Sequence, residues 1–486
     1  MKIPKCMSTQ HPDNVNIPFF SDSSEISGGE EIEEAYYVFS HLGCDEQMWD
    51  CEGKEVDNFV IKKLSAQYTS FFKENKLGRD VFITLRIPNP EEEKTEAKIV
   101  LETLESIPRS YDAAKTMYDE DIAPIFEVIL PMTKSAESLN RIYKYYRDFV
   151  IGKEEIKFEG EEVKISDWIG DFNPKMINVI PLFEDKEHLL NAGEITKKYL
   201  KDKKVEYQRI FLARSDPALN YGLISAVMLN KIALKRLYEA SKEIGIPFYP
   251  IIGVGSSPFR GNLSPENVEN VLKEYPSVHT FTIQSAFKYD NHPKEAMEGI
   301  EKIRNSSTSS PLNLNEKHIL KIIEKYSNEY RRQVQKLAPV INRISKHVPK
   351  RRKRKLHVGL FGYSRSMEGI TLPRAIKFTA SLYSVGIPPS LLGLNALDNE
   401  DISFLKENYI GFERDIRKAF EYFNPESPFT PEELKSTLKN LYSEVNINRN
   451  SVEITNEIIK QIESDNHGSN LQKLIIAAGN LRKFLG

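Results

Sequence analysis

The sequence predicts a (β/α)8 barrel of the TIM type, an α/β fold, with additional α-helical regions. Eight short runs rich in β-branched and aromatic residues recur along the chain, and amphipathic helical segments separate them. Most of these runs are apolar on both faces, which is typical of parallel strands covered by helices. Strand and helix alternating eight times favour a closed barrel.

The predicted strands are short and bounded by turn residues. In chain order they span residues 2–8, 81–87, 125–132, 177–183, 209–215, 248–255, 279–285 and 356–363. The clearest helical patterns between them span 91–107, 135–150 and 219–245. Each connection between parallel strands needs such a helix, so the pattern supports the barrel.

Two regions exceed a minimal barrel. Residues 20–80 separate the first two predicted strands and are predicted to be mostly helical. Residues 374–486 contain several helical patterns and no convincing strand. We therefore predict a barrel over residues 1–373 with a helical insertion at about 20–80. A helical C-terminal region over 374–486 would pack on it, and the two would form a single catalytic unit.

Composition excludes several classes of protein. The 486 residues include 67 Lys and Arg against 70 Asp and Glu, a net charge of −3, which gives no overall electrostatic case for binding nucleic acid or an anionic membrane. No apolar run reaches about 18 residues and no leader pattern opens the sequence, so we expect a cytoplasmic, unanchored protein.

Two local features have a bland and a functional interpretation. The three cysteines are too few for a disulfide framework and indicate a reducing compartment. His41, Cys44 and Cys51 lack a fourth ligand and a common zinc spacing, so ordinary burial is favoured over a metal site. The basic run "KRRKRK" (350–355) is interpreted as a solvated loop rather than an anion-binding patch, because the net charge is balanced.

Polar residues follow the predicted strands where each strand ends. In (β/α)8 barrels the active site lies at the C-terminal ends of the strands, so these side chains should ring one mouth. The polar residues and glycines at or shortly after the strand ends are Gln10, His11, Arg86, Thr133, Lys134, Glu184, Arg214, Ser215, Asp216, Gly253, Gly255, Arg260, Gln284, Ser364 and Arg365.

These residue types together indicate a particular chemistry. Glu184 and Asp216 follow neighbouring strands, and two carboxylates at that spacing suit Mg²⁺ or Mn²⁺ completed by water and substrate oxygens. Arginines select phosphate and carboxylate groups. The predicted ligand is therefore a phosphorylated carboxylic acid on a hard divalent metal. His11 could move a proton or hold a developing oxyanion.

The segment "GVGSSPFRG" (253–261) is only superficially similar to a dinucleotide-binding fingerprint. Pro258 stands where the third glycine belongs, which argues against a nucleotide site. It is better interpreted as a loop whose bare backbone lets Arg260 approach a ligand.

Seven segments together resemble the motifs of one enzyme family. In order, they are "STQHPDN", "TLRI", "VIPLFE", "ARSDPALNYG", "GVGSSPFRGN", "GYSRSM" and "LPRAI". The set resembles phosphoenolpyruvate carboxylase, most closely the short archaeal-type branch of that family. The resemblance runs in register from residue 7 to the end of the sequence, where "IAAGNLRKFLG" is similar to the family's closing stretch.

The resemblance implies a role for each matched residue. His11 takes the place of the family's catalytic histidine, and Arg260 that of an arginine needed for carboxylation. Glu184 and Asp216 fall on the two metal ligands. The predicted substrate-binding residues are Arg86, Arg365, Arg374, Gly253, Gly255 and Gln284, among which the three arginines would serve the phosphate.

The sequence also departs from the family pattern. Val254 stands where the glycine loop usually carries another arginine, so phosphate binding would depend more on the remaining arginines. Asn262 replaces a glycine, and Asn14 replaces the acidic residue of the histidine motif. The chain is much shorter than the typical member and lacks much of the helical region that carries allosteric contacts, so sensitivity to aspartate or acetyl-CoA is not implied.

The implied activity is the irreversible carboxylation of phosphoenolpyruvate with bicarbonate, which gives oxaloacetate and inorganic phosphate in an anaplerotic, carbon-fixing role. The implied cofactor is Mg²⁺ or Mn²⁺, and the implied assembly is a homotetramer. Two alternatives stay open. One is a metal-dependent barrel lyase or mutase acting on oxaloacetate-like or phosphonopyruvate-like acids, and the other is a non-catalytic scaffold.

Overall fold

Eight parallel strands close into a barrel. The computed structural model describes residues 2–51, 57–94, 97–353, 365–367, 370–441, 446–464 and 469–486. The barrel strands, in chain order and in order around the barrel, are β1 (Cys6–Ser8), β2 (Glu46–Asp50), β3 (Phe82–Arg86), β4 (Glu127–Leu130), β5 (Asn178–Phe183), β6 (Gln208–Ala213), β7 (Phe248–Gly253) and β8 (Thr280–Ile283). Because β8 pairs directly with β1, the sheet has no free edge and the predicted (β/α)8 barrel is confirmed.

The strand count is right, but one predicted strand is not the one that the barrel uses. Seven predicted runs correspond to β1 and to β3 through β8. The second barrel strand is β2, which lies inside the region 20–80 that was predicted to be mostly helical. The predicted strand 356–363 lies outside the described residues, and the barrel closes without it.

Helices follow the strands around the barrel. They are α1 (Gly29–Ser40), α2 (Val60–Gln67), α3 (Thr69–Glu74), α4 (Ile99–Tyr118), α5 (Ala136–Lys144), α6 (Ile165–Ile169), α7 (Lys186–Leu190), α8 (Ala192–Leu200), α9 (Ser215–Tyr221), α10 (Leu223–Ile244), α11 (Val268–Glu274), α12 (Ser285–Tyr289) and α13 (Pro293–Asn305). The helix predicted over 219–245 is broken at Gly222, whose φ of 84° is left-handed. A side chain there would also meet the ring of Tyr326 at 2.6 Å.

The described residues beyond α13 are mostly helical, and residues 374–486 contain several helices, as the sequence predicts. The helices beyond α13 are α14 (Glu316–Ser345), α15 (Ala375–Ser384), α16 (Asn399–Asn408), α17 (Phe412–Phe420), α18 (Glu432–Leu441), α19 (Arg449–Glu463) and α20 (Ser469–Arg482). A short antiparallel hairpin, β9 (Arg365–Met367) and β10 (Ile370–Leu372), precedes α15. Helix α14 packs on α9, α10 and α15, so this region lies against the barrel helices. The described helices include none with the length and apolarity needed to cross a membrane.

The barrel interior is filled in layers. The layer nearer the N-terminal ends of the strands is charged. In it, Nη2 of Arg209 lies 2.7 Å from Glu46, and its Nη1 lies 2.8 Å from Glu127. Side chains two residues further along each strand point the same way and form the next layer. That layer belongs to an apolar cluster of Met7, Met48, Ile129, Ile180, Leu182, Phe211, Ala213 and Ile251. The apolar cluster therefore lies toward the mouth, where the strands end.

The basic run is not a solvated loop at its centre. Arg351 and Arg352 are both buried. Two nitrogens of Arg351 donate to the carbonyl oxygen of Val15, the shorter bond being 2.7 Å. Arg352 pairs with two carboxylates of α1, Glu31 at 2.8 Å and Glu34 at 2.7 Å. The sequence-based interpretation was wrong for these two residues, because their charges are used to tie this segment to the barrel.

Candidate active site

A cavity of about 750 Å³ opens at the C-terminal ends of the barrel strands. Its floor is apolar and includes Met48, Leu182, Phe211 and Ala213 from the inner layer. The predicted site residues that line it are His11, Arg86, Glu184, Asp216, Gly253, Arg260, Gln284 and Arg374. Residues that are far apart in the sequence therefore meet at one mouth.

His11 lies on the loop that follows β1. Its Nδ1 lies 2.9 Å from the hydroxyl oxygen of Thr9, and that hydroxyl lies 3.4 Å from the carbonyl oxygen of Ile283. The Thr9 hydroxyl has a single hydrogen, which it donates to the carbonyl of Ile283. Its hydrogen bond with Nδ1 therefore requires that Nδ1 carry a hydrogen and donate it. We infer that Nδ1 carries the proton and that Nε2 is the acceptor atom of the ring.

The two acids sit side by side. Glu184 directly follows β5, and Asp216 is the second residue of α9, which begins after β6; β5 and β6 are paired neighbours. Glu184 is buried and Asp216 is half-buried, and both line the cavity. Oxygen donors of this kind suit a hard divalent cation that takes its remaining ligands from water and substrate. The described residues form no group of three or more His, Cys, Asp or Glu placed to hold a metal ion.

Arg86, the last residue of β3, is held by the carboxylate of Asp50, which was not among the predicted site residues. Its Nη2 lies 2.7 Å from Oδ2 of Asp50, and its Nε lies 3.1 Å from Oδ1. Asp50 ends β2 and is directly opposite Arg86 in the strand pairing. The two-point contact fixes the plane of the guanidinium. Recognising β2 as a strand would have placed Asp50 at the mouth.

The loop after β7 wraps around Arg260. The amide of Gly255 donates to the carbonyl of Arg260 at 2.9 Å, and the amide of Leu263 donates back to Gly255 at 3.0 Å. A Cβ on Gly255 would lie 3.1 Å from Cζ of Arg260 and 3.1 Å from Oε1 of Gln284. The bare backbone at Gly255 therefore allows the close approach that the sequence predicts.

The Arg260 side chain is buried, and each of its three nitrogens makes a hydrogen bond. It donates to Ser215 at 3.1 Å, to Gln284 at 2.6 Å and to the carbonyl oxygen of Gly486 at 2.8 Å. Oδ2 of Asp13 lies 3.4 Å from its Nη1. Burial lowers the pKa of the guanidinium, and the carboxylates of Asp13 and Asp216 oppose that shift. The contacts with Asp13 and Gly486 were not predicted, because they depend on tertiary packing.

Val254 has no polar function in this site. It is fully buried, and a Cβ on its neighbour Gly261 would lie 2.7 Å from Cγ1 of Val254. Gly261 has a φ of 133°, in the range where glycine is favoured. The position where the family usually has an arginine is thus part of the loop's apolar packing.

The far wall of the cavity is basic. Arg374 immediately precedes α15, and Lys346, Lys350 and Lys377 join it on the lining. Burial lowers the pKa of Lys377, and nearby Lys350 adds to the shift. Lys346 and Lys377 were not predicted, since they follow no barrel strand, and Lys350 begins the basic run that was interpreted as a solvated loop. Arg365 begins β9, where its backbone pairs with Leu372, and its predicted phosphate contact stays a prediction.

The fold and this cavity define a class, a (β/α)8-barrel enzyme whose mouth combines a histidine, paired acids and a basic wall suited to a small anionic substrate. The model of the phosphoenolpyruvate carboxylase family matches residues 3–486. The chain belongs to that family.

Curated relatives agree over their full length. The phosphoenolpyruvate carboxylase of Methanothermobacter thermautotrophicus is 56% identical over 486 residues, and that of Methanospirillum hungatei is 54% identical, each alignment covering 100% of both chains. The enzyme of Pyrococcus abyssi is 50% identical with the same coverage. Among solved structures, an HpcH/HpaI aldolase from Desulfitobacterium hafniense aligns with 63% of this chain and 94% of its own at 12% identity. Its TM-score of 0.35 is too low to support any inference.

Proposed function

We propose that this protein is a phosphoenolpyruvate carboxylase, which converts phosphoenolpyruvate and bicarbonate into oxaloacetate and inorganic phosphate. The observation that carries the proposal is the meeting of His11, Glu184, Asp216 and Arg260 in one cavity at the barrel mouth. The family match over residues 3–486 supports the same reaction.

Glu184 and Asp216 would hold Mg²⁺ or Mn²⁺ together with oxygens of the substrate. Such an ion supplies positive charge for the substrate carboxylate and for the oxygen on which negative charge develops. The protein's own contribution is to place two acidic side chains on adjacent strand ends, above an apolar floor that strengthens electrostatic interactions.

The arginines would bind the phosphoryl group. Arg86, Arg365 and Arg374 neutralise its oxygens while a bicarbonate oxygen attacks phosphorus. The bond between phosphorus and the enol oxygen breaks, and its electron pair stays on that oxygen as the enolate of pyruvate. Carboxyphosphate forms beside it. The basic wall around Lys377 would favour the binding of both anions.

His11 would then move a proton. As carboxyphosphate splits into CO2 and phosphate, Nε2 of His11 accepts the proton of its carboxyl group, and the Nδ1–H held by Thr9 keeps the ring in the required orientation. Arg260 and the apolar floor around Met48 and Phe211 would hold CO2 against the enolate carbon. The loop 253–261 is our candidate for the wall that excludes water, since protonation of the enolate would yield pyruvate.

Further properties follow from the family resemblance. We infer a homotetramer located in the cytoplasm that replenishes oxaloacetate for biosynthesis. We infer no nucleic-acid or membrane partner.

A coupled assay tests the proposed reaction directly. Purified protein, malate dehydrogenase and NADH are mixed with phosphoenolpyruvate and Mg²⁺, with and without bicarbonate. We expect NADH oxidation only when both substrates are present, with one phosphate released per oxaloacetate, and loss of activity after chelation with EDTA. Oxaloacetate formation without bicarbonate, or none with it, would contradict the proposal.

A further inference from the structure

Asp13 is a buried carboxylate two residues beyond His11. It is fully inaccessible to solvent. Its Oδ1 accepts from the amide of Ala286 at 2.7 Å, and its Oδ2 lies 3.4 Å from the amide of Ser256 and 3.4 Å from Nη1 of Arg260. Two separate parts of the mouth, the start of α12 and the loop after β7, therefore converge on one side chain.

The backbone of Asp13 makes two more connections. Its amide donates to the carbonyl of His11 at 3.1 Å, and its carbonyl oxygen accepts from the amide of Leu485 at 2.7 Å. Leu485 precedes Gly486, whose carbonyl oxygen is bound by Arg260. Asp13 thus links the loop that carries His11, the loop that carries Arg260 and the end segment that contacts Arg260.

The carboxyl group of Asp13 also interacts electrostatically with Arg260. Burial raises the pKa of its carboxyl group, and Arg260 with the amides of Ala286 and Ser256 partly opposes that shift. The other hydrogen bonds of Arg260 go to the hydroxyl of Ser215, the amide oxygen of Gln284 and the backbone oxygen of Gly486. Asp13 therefore places a carboxyl group 3.4 Å from Nη1 of the buried guanidinium.

We propose that Asp13 is a positioning residue for the carboxylation half of the reaction, because it fixes Arg260 relative to His11 and so fixes where CO2 is held. This inference rests on the proposed function. The family resemblance assigns Asp13 no role, since the histidine motif usually has threonine at this place. Asp13 itself is not expected to touch the substrate.

If Asp13 only stabilised the loop, replacing another buried carboxylate that holds the same loop should have the same effect. Asp290 provides this matched control. Asp290 is also a buried carboxylate, and it holds the same loop through the amides of Val15 at 2.7 Å and Asn16 at 2.8 Å. Its hydrogen bonds go to that loop rather than to Arg260. Asp290→Asn should therefore loosen the loop without disturbing the guanidinium.

The test measures how each variant partitions its products. Asp13→Asn, Asp13→Glu and Asp290→Asn are compared with the wild type for oxaloacetate and pyruvate formed per phosphate released, for KM of bicarbonate and for thermal unfolding. We expect Asp13→Asn to raise the pyruvate fraction at least tenfold, Asp13→Glu to restore part of the wild-type ratio, and Asp290→Asn to keep it.

Two results would overturn the inference. One is a wild-type product ratio in Asp13→Asn, and the other is an equal rise in pyruvate in Asp290→Asn. If Asp13→Asn does not fold, Asp13→Glu decides the question, because it displaces the carboxylate by one methylene. A pyruvate fraction above that of the wild type would then support the inference, and a wild-type fraction would overturn it. Failure of the proposed function is separate, because the wild type would then form no oxaloacetate in the same assay.

Discussion

At the scale of single residues, the contact between His11 and Thr9 sets the orientation of the imidazole ring. The Thr9 hydroxyl lies 2.9 Å from Nδ1, and under the proposed function Nε2 is the atom that accepts the proton. A substitution that keeps the polarity of the side chain but removes the titrating ring should therefore separate the two halves of the reaction.

His11→Asn should stop oxaloacetate formation, while bicarbonate-dependent release of pyruvate persists. The physical reason is that asparagine can hydrogen-bond but cannot accept the proton of carboxyphosphate. Both products can be followed with malate and lactate dehydrogenases. His279→Asn is the matched control, because His279 immediately precedes β8 at the opposite end of the barrel and bonds to the carbonyl of Ile3 at 3.2 Å. Carboxylation at the wild-type rate in His11→Asn would remove the role assigned to it.

The paired acids give a second prediction at this scale. Replacing both Glu184 and Asp216 by alanine should abolish metal-dependent activity by several orders of magnitude, because the hard cation loses both of its protein carboxylates. Binding of Mn²⁺, followed by electron paramagnetic resonance, should weaken in parallel. Glu187→Ala on the exposed side of α7 is the control and should leave Mn²⁺ binding unchanged. Tight Mn²⁺ binding by the double variant would place the metal elsewhere.

At the scale of elements, β2 shows what local pattern reveals and what it does not. The other seven strands were predictable because they are apolar and bounded by turns. Strand β2 begins with Glu46 and Gln47 and ends with Asp50, all buried, which looks like surface sequence. Two of those side chains are paired with residues of other strands, Glu46 with Arg209 and Asp50 with Arg86. Pairing between distant residues leaves no local signal.

The same reasoning separates the site residues that were found from those that were missed. His11, Glu184 and Asp216 follow strands, so the rule for barrel mouths located them. Asp13 and Gly486 act through contacts that only the folded chain creates. Among the lysines of the basic wall, Lys346 lies next to α14 and Lys377 lies on α15, where no strand-end rule applies.

The pair formed by the ends of β2 and β3 can be tested. Asp50→Ala should raise the KM for phosphoenolpyruvate by about tenfold, since it removes the two-point contact that orients Arg86, a loss of order 1.4 kcal/mol in binding. Steady-state kinetics with varied phosphoenolpyruvate measures the effect. Glu274→Ala is the control, because Glu274 forms a comparably buried pair with Lys231, 2.5 Å away and outside the cavity. An unchanged KM in Asp50→Ala would show that Arg86 does not need its partner.

At the scale of the whole molecule, stability should depend on the buried carboxylates that join the loop after β1 to the rest of the barrel. Burial raises the pKa of Asp290 from 3.8 to about 7, with the amides of Val15 and Asn16 opposing the shift and nearby Asp13 adding to it. Between about pH 4 and pH 7, Asp290 keeps its proton in the folded protein, whereas the same residue in the unfolded chain has released it. The contribution of Asp290 to the free energy of unfolding therefore falls as pH rises from about 4 to 7, by up to about 1.4 kcal/mol per pH unit.

Denaturant unfolding of the wild type and Asp290→Asn at several pH values tests this dependence. The free energy of unfolding of the wild type, relative to that of the variant, should decrease between about pH 4 and pH 7 and then level off, because asparagine does not titrate. A difference that stays constant across that interval would show that Asp290 is already ionised in the acidic range.

The contact between Arg260 and Gly486 has a consequence for how the enzyme comes into being. All eight barrel strands are encoded before residue 284, so the emerging polypeptide can close its sheet early in translation. The guanidinium meets its last oxygen partner only once residue 486 has been added. A ribosome that stalls within α20 therefore releases a product with a complete sheet and an unfinished pocket, and such a product should be inert toward substrate.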